Sequence, residues 1–190
     1  NFEIKDGSLS INSKSSGFVS IVHDPWRPVQ SDGGHLGQNP GLFNRSKLDK
    51  RLDIAVFQTH YLKENIHISG IPTLYIAVTS DQESFDICVA LSLISEEYGP
   101  INQFTTGFLR IKKAIKDIEK DYIINLHPTN ISITKGSKLR LSLSASAWPA
   151  IGVNPGHNKV RCGNTSIDHK ITTLNFNLKK SIMKINPFFK

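Results

Sequence analysis

One hundred and ninety residues is the length of a single domain. Hydrophobic residues make up 38%, enough for a packed core, which excludes a wholly disordered chain; no apolar run approaches the roughly 20 residues of a membrane-spanning helix. The excess of 23 Lys and Arg over 16 Asp and Glu, net +7, raises the question of a nucleic-acid partner. The basic residues are scattered, however, and in the densest stretch Lys112, Lys113 and Lys116 alternate with Asp117 and Glu119. That pattern reads as a solvated face, so nucleic acid is disfavoured.

The chain opens at Asn1 and its only methionine is Met183, so it reads as a piece of a longer polypeptide. Alternation by two dominates from there on. A weak strand pattern runs from Phe18 to Val22. It gives way to a long irregular stretch, Asp24 to Lys50, which holds Pro25, Pro28, Pro40, Gly33, Gly34, Gly37 and Gly41. A loop of that length in a compact domain is expected to be functional or to form an interface. Strands are predicted again over Asp53 to Thr59 and over Leu74 to Val78. The clearest is Phe85 to Leu93, where Phe85, Ile87, Val89, Leu91 and Leu93 alternate with Asp86, Cys88, Ala90 and Ser92. Ile111, Ala114, Ile115 and Ile118 follow helical spacing and predict one short surface helix. Further strands are predicted for Tyr122 to Leu126, Asn130 to Ile133, Leu139 to Ala145 and Ile171 to Leu178. Lys179 to Lys190 reads as a basic tail. Turn signals separate the elements: Ser69-Gly70, Ser80-Asp81, Tyr98-Gly99-Pro100, Lys135-Gly136 and Asn154-Pro155-Gly156. Many short strands punctuated in this way predict an all-β antiparallel sandwich or barrel.

The chemistry-bearing patterns are mostly missing. The chain has no Gly-x-Ser-x-Gly elbow, His-Glu-x-x-His, Cys-x-x-Cys or Walker loop. Gly33-Gly34-His35-Leu36-Gly37 reads as a tight loop needing positive φ, not as a phosphate cradle. His23-Asp24 and Asp168-His169 are adjacent in sequence, but neighbours on a strand point to opposite faces, so these histidines read as surface or hydrogen-bonded structural residues. Asp81, Glu83 and Asp86 could hold calcium through hard oxygens, although solvated loop acids are the favoured reading. No catalytic residue, metal site or cofactor is assigned. Cys88 and Cys162 are too few for a disulfide scaffold, and their presence fits a reduced, cytoplasmic setting. Arg51 and Asp53 flank Leu52 and so share one side of an extended chain. Trp26 and Trp148, each beside a proline, provide large rigid contact surfaces.

The order of these pieces resembles a known module. Asp24-Pro25-x-x-Pro28-Val29 precedes Gly33-Gly34. Asp49-x-Arg51-x-Asp53-Ile54-x-x-Phe57-x-Thr59 follows, then Leu62-x-Glu64-Asn65-Ile66-x-Ile68-x-Gly70-x-Pro72 and Ser80-Asp81. Thr106-Gly107-Phe108-Leu109-Arg110, Lys135-Gly136-Ser137-Lys138-Leu139-Arg140-Leu141, and Ser144-Ala145-Ser146-Ala147-Trp148-Pro149 with Asn154-Pro155 complete the series. Together they resemble the C-terminal, non-catalytic domain of the X-Pro dipeptidyl-peptidase and cocaine esterase (CocE/NonD) family of α/β-hydrolases, over residues 17 to 157 and, more faintly, to 178. Two departures are Ser84-Phe85-Asp86-Ile87, which keeps only the second acid of the family's stretch, and Ser137 in place of a histidine.

The resemblance implies a jelly-roll β-sandwich of the galactose-binding-like type, one domain over residues 1–190 with the basic tail at 179–190, and a catalytic α/β-hydrolase domain upstream in the same polypeptide. The Ser-Asp-His triad belongs to that upstream domain, so this chain is expected to be inactive alone. Its implied role is to pack on the catalytic domain, shape the cleft, and stabilise the enzyme or form a homo-oligomer, without a membrane. Asp24, Pro25, Trp26, Pro28, Arg51, Asp53, Arg110, Trp148 and Pro149 are the interface candidates. A carbohydrate-binding module with the same fold is the alternative.

Overall fold

A computed structural model describes residues 2–5, 8–11, 17–34, 39, 41–95, 99–164, 167–185 and 187–189. His35, Leu36, Gly37, Pro40 and Tyr98 lie outside the described residues. Among the described residues fourteen strands follow one another: β1 Phe2–Lys5, β2 Ser8–Ile11, β3 Phe18–His23, β4 Phe43–Asn44, β5 Ala55–Gln58, β6 Ile66–Gly70 and β7 Thr73–Ser80. After them come β8 Phe85–Ile94, β9 Ile101–Ile111, β10 Lys120–Asn125, β11 Thr129–Ile133, β12 Lys138–Ser144, β13 Thr172–Lys184 and β14 Pro187–Phe189. The helical content of the described residues is one 3-10 turn, Leu48–Lys50.

One hydrogen-bonded path runs β10-β7-β13-β1-β2-β5-β12-β8-β9-β4, with β3 joined to β13, and a three-stranded sheet β11-β6-β14 stands apart. Among the described residues every pairing between these strands is antiparallel except the contact between β2 and β5 at Ser8 and Gln58, and a further parallel bridge joins Gln30 to Trp148 in the loops. The path folds back on itself. Leu74, Ile76, Val78, Leu174, Phe176 and Leu178 from β7 and β13 share one core with Phe57, Ile87, Val89, Leu91, Leu139, Leu141 and Leu143 from β5, β8 and β12. This is a β-sandwich. Each of those fully buried aliphatic or aromatic side chains contributes about 1.5–3 kcal/mol by leaving water.

The strands predicted from alternation are all present. β8 departs from the half-buried pattern in one respect: its second face, Asp86, Cys88, Ala90 and Ser92, is buried too. The long loop and the segment after β12 cover that face. β13 runs through the residues read as the start of a tail, and Ser181, Met183 and Ile185 are buried. A register shift between Asn177 and Ile182 lets β13 change from pairing with β3 to pairing with β1 while keeping β7 along its other side.

The predicted surface helix does not form. Ile111 closes β9 and the residues after it make a turned connection, with Lys113 at φ 58° and Asp117 at φ 59°. Ala114 N–H donates to the Glu83 carbonyl and Asp117 N–H to the Ser80 carbonyl. A helix needs those amides for its own i→i−4 bonds and tolerates no left-handed residue in its interior. Ile115 and Ile118, the intended apolar stripe, are exposed.

Candidate functional site

Two loops lie across the polar face of β12, β8 and β9, and ion pairs fasten them. The first follows β3. Asp24 Oδ1 accepts the Trp26 N–H at 3.0 Å and its carbonyl accepts the Arg27 N–H, a tight turn around Pro25. Arg51 grips Asp53 with both arms of its guanidinium, Nε to Oδ1 at 2.8 Å and Nη2 to Oδ2 at 2.7 Å, and Nη2 also donates to the Arg27 carbonyl at 2.7 Å. The predicted sharing of one side by Arg51 and Asp53 is therefore real, and it pins the turn carrying Trp26. Leu52 between them points into solvent.

The second loop follows β12. Arg110 on β9 pairs in the same two-armed way with Asp86 on β8, at 2.9 and 2.7 Å, and its Nη2 also donates to the Gly152 carbonyl. Asn154 Nδ2 donates to Asp86 Oδ1 at 2.8 Å. The Asp86 side chain is 1% exposed, so it is not the solvated acid expected from sequence but the buried anchor of this loop. Hydrogen bonding to Asp86 raises the Arg110 guanidinium above its ordinary range, as Asp53 does for Arg51. Asp81 accepts the Thr173 N–H and Glu83 the Asn158 N–H. The three acids considered for calcium therefore serve three separate backbone or side-chain partners. Among the described residues no three His, Cys, Asp or Glu gather in a metal-holding group.

The loops are also zipped to each other. Trp148 N–H donates to the Val29 carbonyl at 2.9 Å, Ser31 N–H to the Trp148 carbonyl at 2.7 Å, and Val29 N–H to Ser146 Oγ at 2.8 Å. Gly33 and Gly34, at φ 68° and 70°, turn the first loop back, as the tight-loop reading requires. A Cβ on Gly33 would lie 2.4 Å from that of Phe43.

What the two loops present outward is an open groove lined by Pro25, Trp26, Pro28, Trp148, Val153, Gly163, Asn164, Ile167 and His169. Trp26 and Trp148 remain 55% and 48% exposed, with Pro149 exposed beside Trp148. No lining residue is an Asp, Glu, Lys or Arg. The nine candidates thus divide by role: Asp24, Arg51, Asp53 and Arg110 fasten, Pro25 is buried within the first turn, and Trp26, Trp148 and Pro149 are exposed with Pro28 half-buried among them.

Sequence reasoning missed a further buried cluster. Asp49 accepts from Arg45 Nε at 3.0 Å and Ser142 Oγ at 2.9 Å, with Arg140 Nη1 at 3.6 Å. Arg45 Nη1 donates to Gln103, which donates to the Asp32 carbonyl. Burial lowers the Arg45 guanidinium, with Asp49 opposing. Arg140 facing away from its strand's leucines was the one visible signal. His23 and His169 also differ from expectation: both are buried, and neither Nε2 has a hydrogen-bond partner among the described residues. His169 stacks against Trp26 at 5.8 Å.

The two-layer sandwich thus carries ion-pair-fastened loops that present a neutral aromatic face. The chain belongs to the family of X-Pro dipeptidyl-peptidase C-terminal non-catalytic domains, whose pattern it matches over residues 4–181. No curated protein matches it. Among solved structures it is similar to an aminopeptidase from the marine sediment archaeon Thaumarchaeota archaeon, with 16% identity and a TM-score of 0.84, covering 98% of this chain and 36% of that one. It is also similar to an alpha-amino acid ester hydrolase, with 17% identity and a TM-score of 0.82, covering 100% and 36%. A CocE/NonD family hydrolase from Staphylococcus aureus follows at 14% identity and a TM-score of 0.64, covering 100% and 36%. The chain spans about a third of the length of these structures.

Proposed function

We propose that this chain is the accessory C-terminal domain of a serine hydrolase of the X-Pro dipeptidyl-peptidase or acyl-esterase type. It packs on an α/β-hydrolase domain of the same polypeptide, walls one side of the active-site cleft, and stabilises the enzyme. The observation that carries this reading is the uncharged Trp26–Trp148 groove held from behind by the Arg51–Asp53 and Arg110–Asp86 pairs. Exposed tryptophans on pre-fastened loops are the residues that dominate contact energy, because their apolar area is large and little side-chain entropy is lost on docking. The family membership and the greater length of the similar structures support a partner domain in the same polypeptide. Jelly-roll topology of the galactose-binding-like type fits the motif order. Two free cysteines, Cys88 and Cys162, fit the cytoplasm.

The test uses the longer parent protein with Trp26→Ala and Trp148→Ala, singly and together. Each loses about 2 kcal/mol of docking energy or more, read as a lower melting temperature of the catalytic domain and a lower kcat/KM. The 190-residue chain carrying the same changes keeps its own melting temperature. Hydrolysis by the purified chain alone, blocked by a serine-directed reagent, refutes the reading. Micromolar glycan binding lost with Trp26→Ala assigns the groove to a carbohydrate-binding module instead.

A further inference from the structure

Beneath the first loop a row of polar side chains crosses four strands. Gln58 on β5 is opposite Arg140 on β12, Arg140 is opposite Ser92 on β8, and Ser92 is opposite Gln103 on β9. The last step is made by a register shift at Leu91 and Ser92, which passes over Phe104 and brings Gln103 beside Ser92. Irregularities of this kind re-aim side chains and are common next to binding sites. The turn at Leu48–Lys50 closes over the row with Arg45 and Asp49.

Most of the polar atoms gathered here are engaged. Arg140 Nη2 donates to Gln58 Oε1 at 2.8 Å, Arg45 Nη1 to Gln103 Oε1 at 2.8 Å, and Ser142 Oγ to Asp49 Oδ2 at 2.9 Å. Two atoms are left over. Arg140 Nε and Ser92 Oγ are enclosed, and neither has a hydrogen-bond partner among the described residues. Ser92 is 0% exposed. The two belong to directly opposed residues, whose Cβ atoms in an antiparallel pair stand about 4.5–5.5 Å apart.

The charges are also out of balance. Arg45 and Arg140 share the single carboxylate of Asp49, and two cations against one anion leave a net +1. The Arg45, Arg140 and Asp49 side chains are only 7%, 19% and 1% exposed. Among the described residues no other ion pair reaches either guanidinium. Excess charge held away from water is costly, and a guanidinium N–H can only donate.

We propose that a halide ion, chloride by abundance, binds between Arg140 Nε and Ser92 Oγ. The Arg140 N–H and the Ser92 O–H donate to it, and its charge brings the cluster to neutrality. A water would accept the same hydrogen bonds and leave the charge uncompensated. A carboxylate or phosphate needs an opening that a fully enclosed serine does not offer. One charge-assisted and one ordinary hydrogen bond give a Kd of about 1–10 mM. The site lies apart from the Trp26–Trp148 groove and does not rest on the docking reading.

The test follows the melting temperature of this chain as sodium chloride replaces sodium gluconate at constant ionic strength. A rise of about 5 °C or more is expected once chloride stands about a hundredfold above its Kd. Ser92→Ala removes one donor and weakens the response at least about tenfold in chloride concentration. In gluconate the same variant melts no lower than the native chain, because it deletes an unsatisfied buried hydroxyl. Arg140→Gln removes the excess charge and the response with it, and Trp26→Ala leaves the response unchanged. A crystal soaked in bromide should show an anomalous peak in contact with Arg140 Nε and Ser92 Oγ. Equal melting in the two salts overturns the proposal, as does a chloride response that survives Ser92→Ala. A water at that position without anomalous signal overturns it too, and so does a bromide peak with no melting response, which is binding at crystal concentration only.

Discussion

Removing the carboxylate of Asp86 is expected to unlock the second loop while sparing the sandwich. Asp86 is a buried acceptor for three donors, two from Arg110 and one from Asn154. Asp86→Ala leaves a guanidinium that is 23% exposed without a counter-ion, and a buried Asn154 amide without an acceptor. Breaking one side of a buried pair costs about 3–5 kcal/mol; the partial exposure of Arg110 places this case at the lower end. A chain of this size loses about 2–4 °C of melting temperature per kcal/mol, so a fall of roughly 6–12 °C follows for a loss of about 3 kcal/mol. Arg110→Ala is expected to cost at least as much, because the carboxylate left behind is the more deeply buried partner. The double variant removes both charges and should fall short of the sum of the singles by about 1 kcal/mol or more. Urea titrations followed by tryptophan emission and far-UV circular dichroism give the three free energies. Trp148 emission should shift to the red in the single variants before strand signal is lost. Single costs below about 1 kcal/mol, or simple addition in the double, would show that Asp86 and Arg110 do not hold the loop.

Two further outcomes test other parts of the structure. Gly33→Ala must accept a left-handed φ and a Cβ 2.4 Å from Phe43 Cβ and 2.8 Å from the Gly41 carbonyl oxygen; a loss of about 2–4 kcal/mol in a urea titration is expected. Burial pushes the His23 imidazole below its ordinary value of 6.5, against the opposing pull of the Asp86, Asp53 and Asp24 carboxylates and with a small push from Arg51. The unfolded chain then binds the proton first, so stability is full above pH 6.5 and falls as pH drops below it. Melting temperatures from pH 8 to 5 should decline for the native chain and flatten for His23→Gln.

The strands visible in the sequence were those whose core face is aliphatic: β7, β8, β12 and β13 bury Leu, Ile, Val and Phe at every second position. β9 is the longest strand that alternation did not reveal. Its core row contains Thr105 and Gly107, and its outer row buries Gln103. The Thr105 hydroxyl is satisfied by the His127 carbonyl, and Gly107 lets the chain at Asn125 and Leu126 come close. Polar groups with local partners erase the alternation that the period test detects. The same cause hid Arg45 and its cluster. Asp49 sat inside a recognised motif, and Arg45 lies only four residues before it, but nothing in the spacing predicts that Arg140 and Ser142 reach it across a chain distance closed only by folding. Arg51 and Asp53 were legible because the contact is local, two residues apart. The helix reading failed where long-range bonds from Ser80 and Glu83 took amides that local spacing had reserved for a helix.

A strand packed on both sides has no silent positions. β8 sends Ile87, Val89 and Leu91 into hydrocarbon and Asp86, Cys88 and Ser92 under the loops, so a change at any of these is felt by one neighbour or the other. Variation that this module can absorb is therefore displaced to its rim and to the bare rows of β3 and β10. The least replaceable stretch of the molecule is then its doubly packed strand, and its intolerance to mutation reflects carpentry.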